Sequence, residues 1–539
     1  MNMKSNILSL SKNKVMILLV LIVVLASVLR IYKTDHIPPS LSWDEAAVGF
    51  NAWTIANYGR DEYGTFLPLY FQSFGEDKQP IHIYATAIFV KIFGLSEFTT
   101  RISTALIGIA NVVLIFFLVR TLFKNDFIAI LSSLFLAISP QNIFFSRFNH
   151  EANFALFFFM LGLFIFFKAL KKSDLLPLSF LSFAVGAISY HAAEIIIPLA
   201  IVLLIILYYK KFKKEKMNLF ITFIFVLAFI IFSFFQPRLL GISRYNETSY
   251  STSEIESSPT FLKTQSHLLA RFYIIAENYF SYFDPQYLFI KGDKNPRLSA
   301  QYGGEFYKLD SILLIWGVVF IIKKRNREGF LLLALVLIAP IAGSLTKEAP
   351  HAGRGAFMMG SWNILSALGC YFLINLFRSN KIKYLISIFI ISILFFSMAN
   401  YLKYYFNDYP KRYAIDWQYG MKQIAQYLKD NPNYREVYMT SIRAQPYIFF
   451  LYHLKPPLDL YLNRVVYNDS SDQSSNNVHS FDKYGFGVWN PFESGASVGA
   501  LYILTPSEYD GLRNRVSYDV KKIIYYPDQS SAFYIVALK

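Results

Sequence analysis

Four short polar clusters in an otherwise apolar chain carry the residue types of acid–base and anion-binding chemistry. The first, Ser42-Trp43-Asp44-Glu45, puts two adjacent carboxylates directly after the first hydrophobic segment. Carboxylates beside hydrocarbon are costly unless a partner or a reaction uses them, so one of the pair is a candidate general base. Ser42-x-x-Glu45 is also a capping box, with Gly59 a stop for a helix over Trp43–Tyr58. In a capping box Glu45 folds back on the Ser42 amide, which leaves Asp44 to point elsewhere. The second cluster, Gly75-Glu76-Asp77-Lys78-Gln79-Pro80, opens an apolar run, and Pro80 suits a first helical position. Lys78 at a helix N-terminus would receive a phosphate well. It would equally pair with Asp77 or extend to lipid headgroups. The third, Arg147-Phe148-Asn149-His150-Glu151, joins two apolar runs, and such a turn either ends and solvates two helices or contributes to a site. The fourth, Thr346 to Arg354, sets Lys347, His351 and Arg354 in a loop, and arginines there call for an anionic partner. Arg238, Arg244, Arg271 and Arg297 are looser candidates for the same role.

The elements that position these residues belong to a polytopic membrane protein. Of 539 residues 54% are apolar and 53 are Phe, which is too apolar for a soluble globular chain. The net charge of +16 comes from basic residues clustered between apolar runs, the pattern that orients a membrane protein, and nucleic acid is excluded as a partner on that ground. The single cysteine, Cys370, lies in an apolar run and rules out a disulfide framework. The N-terminal apolar run lacks a convincing cleavage pattern and reads as an uncleaved first span.

Apolar runs at 15–32, 102–122, 127–145, 152–169, 174–190, 193–209, 217–236, 308–322, 329–346, 356–377 and 382–403 predict about eleven transmembrane helices. Ile81–Phe93 is shorter and holds His82 and Lys91. If it does not cross, Arg120/Lys124, Lys168 to Lys172, Lys210 to Lys216, Lys323 to Arg327 and Arg378 to Lys383 share the N-terminal, cytoplasmic side. It is therefore expected to be an interfacial helix in the first outer loop, residues 33–100. A long outer loop spans 237–307, and Tyr250 to Thr260 reads as mobile. The membrane domain covers 1–405. Residues 406–539 are expected to form a soluble extracytoplasmic α/β domain, with a helix over Tyr419–Leu428 and strands at Glu436–Met439, Ala500–Leu504, Val520–Tyr526 and Phe533–Val536. Ser470 to Asn477 is too polar to pack.

The Asp44-Glu45 pair after the first span, the acidic-Lys78-x-Pro80 segment, and Arg101-Ile102-Ser103-Thr104-Ala105-Leu106 leading into the next span resemble the GT-C membrane glycosyltransferases. The nearest likeness is to glycosyltransferase family 39, over about residues 15–405 and most strongly over 40–155. That group includes protein O-mannosyltransferases and lipid A aminoarabinose transferases. The resemblance implies a multispanning core and a polyprenyl-phosphate sugar donor, with a protein, lipid or glycan acceptor. It also implies that Asp44 is the catalytic acidic residue, that Asp77 and Lys78 are the acidic-Lys pair near the donor phosphate, and that Glu151 is a second acidic position. The family often has Lys-Pro-Pro where this chain has Lys78-Gln79-Pro80, and Glu76 doubles the acidic position, so Glu76 and Asp77 both remain open as the counterpart.

The expected reaction has Asp44 as general base on an acceptor hydroxyl, which attacks the anomeric carbon with inversion while the lipid phosphate departs toward Lys78 and Arg354. Glu45, Glu76, Asp77, Arg147, His150 and Glu151 are expected to support the site or bind acceptor. No cofactor is expected. A divalent cation between Asp44 and Glu151 is the less favoured alternative, since a monophosphate donor needs none for charge balance. Two other readings share the span count. A lipid-linked glycan polymerase or ligase would rest on outer-loop arginines and histidines, and a lipid or sugar transporter would show paired halves and interrupted helices. The Lys-rich, Phe-rich usage points to a prokaryotic inner (plasma) membrane.

Overall fold

The computed structural model describes residues 11–212, 248–469 and 475–539, with scattered positions between 217 and 236. The expected span over 217–236 lies mostly outside the described residues. Arg238, Arg244 and the first part of the Ser470 to Asn477 loop lie outside them as well. The chain forms two compact units, one of residues up to Tyr32 with Thr104–Tyr404, the other of Lys33–Ser103 with Tyr405–Lys539. This differs from the expected division into 1–405 and 406–539, because residues 33–103 pack with the C-terminal segment. The reason is the apolar surface of the first loop, which shares one core with that segment.

The first unit is helical. It begins with α1 (Lys12–Ile31), and α2 (Trp43–Tyr58) and α3 (Ile81–Phe93) follow in the second unit. Next come α4 (Glu97–Phe123, joining the first unit at Thr104), α5 (Asp126–Ile138), α6 (Pro140–Phe145), α7 (Ala152–Ala169), α8 (Leu176–Ala187) and α9 (Ala193–Phe212). Later helices include His267–Ser281, Lys308–Lys324, Arg327–Ile338, Met358–Asn375 and Asn380–Asn407. Among the described residues six helices are long and apolar enough to cross a membrane: Lys12–Ile31, Glu97–Phe123, Ala152–Ala169, Ala193–Lys211, Arg327–Ser344 and Asn380–Arg412. The other expected spans that fall within the described residues are shorter or interrupted. Pro140 cannot continue a helix and holds Ser139 in a non-helical conformation, so the run 127–145 becomes α5 and α6. The run 356–377 is broken at Met359 and Gly360. Lys308–Lys324 packs on Met358–Asn375 through backbone contact: a Cβ on Gly369 would sit 1.8 Å from the Leu313 carbonyl oxygen and one on Gly317 2.2 Å from that of Leu365. Small residues at such a crossing are how membrane helices approach closely.

Tyr250 to Thr260 is not an irregular loop. It holds helices at Thr252–Glu256 and Pro259–Thr264, the first started by a Ser251/Glu254 capping box and the second by Ser258 before Pro259. The Glu254 carboxylate also pairs with Lys347 at 2.7 Å.

In the second unit, α2 begins at Ser42 and ends at Gly59 as the capping-box reading predicts, with both reciprocal cap bonds formed. It packs on α3 and on a buried helix, Pro446–Leu454. The shared core includes Phe50, Phe71, Ile83, Tyr447, Phe449 and Phe533. α3 buries His82, Ile83, Thr86, Ala87 and Val90 and leaves Ile88, Ile92 and Phe93 exposed. The C-terminal segment holds the expected helix, at Met421–Asp430, and a seven-stranded sheet whose spatial order runs Val466–Tyr467, Val478–Phe481, Tyr484–Gly487, Glu436–Thr440, Ala500–Leu504, Ser531–Leu538 and Tyr518–Tyr525. Its strands are β3 (Glu436–Thr440), β4 (Val466–Tyr467), β5 (Val478–Phe481), β6 (Tyr484–Gly487), β7 (Ala500–Leu504), β8 (Tyr518–Tyr525) and β9 (Ser531–Leu538). The central strand β3 is parallel to both its neighbours and every other pairing is antiparallel. β3, β7, β8 and β9 were legible as strands; β4, β5 and β6 are short and were not.

Candidate functional site

The segment expected to open the α3 helix instead forms a hairpin. β1 (Phe71–Ser73) pairs antiparallel with β2 (Glu76–Lys78), and Phe74 and Gly75 make the two-residue turn with both φ positive, the geometry that hairpins favour. Pro80 caps α3 rather than occupying its first turn, so Lys78 sits on a strand and the helix-dipole reading of it does not hold. Side chains alternate along a strand. Glu76 and Lys78 therefore share one face, and Asp77 lies buried on the other at 4% exposure.

Across from that face is the first turn of α2. Lys78 Nζ donates to Asp44 Oδ1 at 2.5 Å and lies 3.5 Å from Glu76 Oε1, so one ammonium bridges two carboxylates. The Asp44 side chain is 42% exposed, whereas those of Lys78 and Glu76 are 14% exposed, so the accessible member of the group is Asp44. The Phe74 ring lies 5.7 Å from the ammonium and forms an apolar floor. Of the two acidic residues left open, Glu76 is the one beside Lys78.

Glu45 is doubly committed. Beyond its cap to Ser42, it takes both forks of Arg101, Nε to Oε1 at 2.8 Å and Nη2 to Oε2 at 2.9 Å, with both side chains fully buried. The same guanidinium donates to the carbonyls of Thr34, Pro38 and Ser40. Arg101 thus ties the 34–40 segment to the start of α2 and fixes the turn on which Asp44 stands. Its role went unread in the sequence, although an isolated arginine at the mouth of an apolar run is itself a signal that a partner exists.

A second buried acid, Glu62, was also missed. It accepts from Asn51 Nδ2 at 3.0 Å and from the Tyr447 hydroxyl at 3.1 Å, while its amide donates to Asn51 Oδ1. Burial first, then the charge of Asp61, pushes its carboxyl up to about 8. An acidic pair in a polar loop gives no sequence sign that one of its members is enclosed.

The remaining expected residues lie in the first unit. Arg147 is fully buried and donates to the carbonyls of Leu29 at 2.8 Å and Tyr32 at 2.7 Å, capping the C-terminal end of α1. Arg30 reciprocates from α1, reaching the carbonyls of Leu136 and Ala137 and Asn142 Oδ1. Arg147, expected to support the site or bind acceptor, thus ties its turn to the end of α1. His150 Nδ1 accepts the Ala152 amide at 3.1 Å, which puts its proton on Nε2, and its ring stands edge-on to Phe145, Phe148 and Tyr190. Glu151 lies 3.7 Å from His150. Burial raises the Tyr190 hydroxyl above its ordinary value; Glu151 adds to the rise and Arg354 opposes it, which places all three within electrostatic reach of one another. Arg354 donates to Thr346 Oγ1 at 2.9 Å and to the Lys347 carbonyl at 2.6 Å. Beneath that loop, Asp293 accepts the Ala352 amide at 2.6 Å, and burial pushes its carboxyl up. The structure therefore brings together Asp44, Glu76 and Lys78 in one unit and His150, Glu151 and Arg354 in the other. Among the described residues no group of three or more His, Cys, Asp or Glu side chains is arranged to hold a metal ion.

Residues 77–234 match the family model of dolichyl-phosphate-mannose-protein mannosyltransferase. A putative mannosyltransferase YkcB of Bacillus subtilis is 28% identical over 178 residues, which is 32% of this chain and 24% of that protein. The matched stretch thus spans about a quarter of that relative's length. Among solved structures, ArnT from Cupriavidus metallidurans bound to undecaprenyl phosphate superposes with a TM-score of 0.58 at 11% identity, covering 98% of each chain. The oligosaccharyltransferase AglB from Archaeoglobus fulgidus, in complex with an inhibitory peptide and a dolichol-phosphate, gives a TM-score of 0.51 at 14% identity over 81% of this chain and 63% of that one. The chain therefore has the fold of the GT-C membrane glycosyltransferases and, over residues 77–234, matches the dolichyl-phosphate-mannose-protein mannosyltransferase family.

Proposed function

We propose that this protein is a membrane glycosyltransferase that moves a hexosyl or pentosyl group from a polyprenyl-phosphate donor to an acceptor hydroxyl, with inversion, at the outer face of the plasma membrane. The observation that carries the proposal is the Lys78 ammonium held between Asp44 and Glu76, with Asp44 the more exposed carboxylate. That Lys78 is close to Asp44 gives the pair a division of labour. A lipid phosphate competes with Asp44 for the ammonium, and as Lys78 turns to the phosphate, Asp44 is released to accept a proton. Glu76 holds Lys78 in place during the exchange.

The acceptor oxygen then bonds to the anomeric carbon as its proton passes to Asp44 Oδ1. The carbon–oxygen bond to the phosphate breaks, and its electron pair leaves on the polyprenyl phosphate, whose growing negative charge Lys78 stabilises. The solved relatives support a lipid phosphate as donor: one is bound to undecaprenyl phosphate and the other to a dolichol-phosphate. The acceptor is a protein, lipid or glycan hydroxyl. Arg354, with Glu151 and Tyr190, is a second place where an anionic group meets a cation beside an acid, and we assign it a binding role.

The test is incubation of membranes with radiolabelled polyprenyl-phosphate sugars, wild type against Asp44→Asn. Transfer of label by the wild type and its loss in the variant is expected. Near-normal transfer by Asp44→Asn rejects Asp44 as the base.

A further inference from the structure

The first unit holds an apolar cavity of about 620 Å³ between α1, α5 and the helices Met358–Asn375 and Asn380–Asn407. Leu18, Leu25, Leu131, Phe135, Ile374 and Ile390 are typical of its wall. Its few polar lining residues, Asn380, Lys383, Tyr384 and Ser387, come from the opening turns of one helix. Lys383 is 6% exposed, and among the described residues its ammonium donates no hydrogen bond and forms no ion pair. Ser387, which also lines the cavity, donates its hydroxyl to the Lys383 carbonyl at 2.8 Å.

A largely buried lysine without a counter-charge at an apolar cavity is costly, in a membrane protein above all. Lysines at the ends of membrane helices ordinarily extend outward to water or headgroups. Arg378 and Lys381 do so and are exposed, but Lys383 is folded into the cavity instead. The cavity lies toward the Lys12 end of α1 and the Asp126 end of α5, away from the turn that carries His150 and Glu151.

We propose that this cavity is a binding site for an acidic membrane phospholipid, with an acyl chain against the leucine and phenylalanine wall and the headgroup phosphate paired with Lys383. Apolar walls accept the chain, and the Lys383 cation at the cavity lining supplies the charge complement for a single negative phosphate. The exposed Arg378 and Lys381 beside the mouth favour a net anionic headgroup over a zwitterionic one, whose own cation they repel. The site is independent of the sugar-transfer reaction and faces the opposite ends of the helices from Glu151 and Arg354.

The full-length protein in nanodiscs of phosphatidylcholine, with or without added phosphatidylglycerol, provides the test. Lipid that stays bound after transfer to mild detergent is counted by native mass spectrometry. Wild type should retain phosphatidylglycerol in preference to phosphatidylcholine. Lys383→Gln should retain about tenfold less, the loss of one charge-assisted pair, while Lys383→Arg and Lys381→Gln hold it. Leu131→Trp keeps the charge and fills the cavity, so it should also release the lipid, and it serves as the decisive variant if Lys383→Gln does not fold. Equal retention by wild type, Lys383→Gln and Leu131→Trp overturns the site. Displacement of phosphatidylglycerol by an equal amount of undecaprenyl phosphate overturns the assignment of its occupant.

Discussion

Arg101 grips both oxygens of Glu45, at 2.8 and 2.9 Å, from a position fully closed to solvent. The three further bonds it makes to backbone carbonyls of residues 34–40 leave this guanidinium holding a whole segment in place. Removing one partner of such a pair strands the other charge in a buried setting. Arg101→Ala is expected to cost about 3–5 kcal/mol. Arg101→Lys should recover little, because a lysine has no fork to span two oxygens. Thermal unfolding in detergent, with limited proteolysis between residues 33 and 60, reads the loss, and an unchanged melting temperature in Arg101→Ala refutes it.

Asp44→Asn and Lys78→Met should separate chemistry from stability. Each is expected to lower turnover on the order of 100-fold to 1000-fold, while melting temperatures shift little because the pair is partly solvated. Since the two side chains touch, the double variant should lose far less than the sum of the singles. Strict additivity of the two losses in a transfer assay would count against their acting as a unit.

Glu76→Gln and Asp77→Asn test which acid serves Lys78. Glu76 shares the strand face of the ammonium and Asp77 does not. Glu76→Gln should therefore weaken donor binding, seen as a raised KM for the polyprenyl-phosphate sugar, and Asp77→Asn should act on stability instead. The opposite pattern reverses the assignment.

The pH dependence of stability carries the mark of Glu62. Its carboxyl sits at about 8 in the fold against 4.5 when exposed, so between those values the folded protein holds a proton that the unfolded chain lacks. The contribution is complete below the unfolded value and falls away as pH rises toward 8. The melting temperature should therefore drop across that window in wild type, and Glu62→Gln, which imitates the protonated acid, should flatten the drop. Parallel melting curves for the two proteins between pH 5 and 8 would exclude Glu62 as the cause.

Arg147→Ala and Arg354→Ala should part company. Arg147 satisfies two carbonyls at the end of α1, and its removal takes a charged donor from both at a cost of about 1.5–3 kcal/mol. Among the described residues the Arg354 side chain bonds to loop residues, so its alanine variant should keep the fold and lose donor or acceptor affinity. Chromatographic behaviour and thermal melts, set beside KM values, distinguish the two outcomes.

The features legible in the sequence were those written in local code. The capping box and terminal Gly59 mark the ends of α2 to the residue, and four of the seven sheet strands follow from alternation and β-branched content. What was not legible depends on contacts distant in the chain or on an alternative local solution. Arg101 meets a residue 56 positions away, and Tyr447 meets Glu62 across 385. Pro80 suggested a helix reaching back toward Lys78, yet Phe74-Gly75 offered a tight turn that pairs Glu76–Lys78 with Phe71–Ser73, and the hairpin prevailed. Charge in a short turn looked the same whether it faced a ligand, as assigned to Arg354, or a helix end, as found for Arg147.

That hairpin also makes the sign of the charge opposite Asp44 a matter of counting by twos. Strand side chains alternate, so the number of residues between the Phe74-Gly75 turn and position 78 decides whether an ammonium or a carboxylate faces the first turn of α2. Inserting one residue after Gly75 would turn Lys78 inward and present Asp77 in its place, setting like charges against each other with composition otherwise unchanged. Deleting one would also turn Lys78 inward, but with Gln79 taking its register position. The polarity of the site is thus stored in the parity of a three-residue strand.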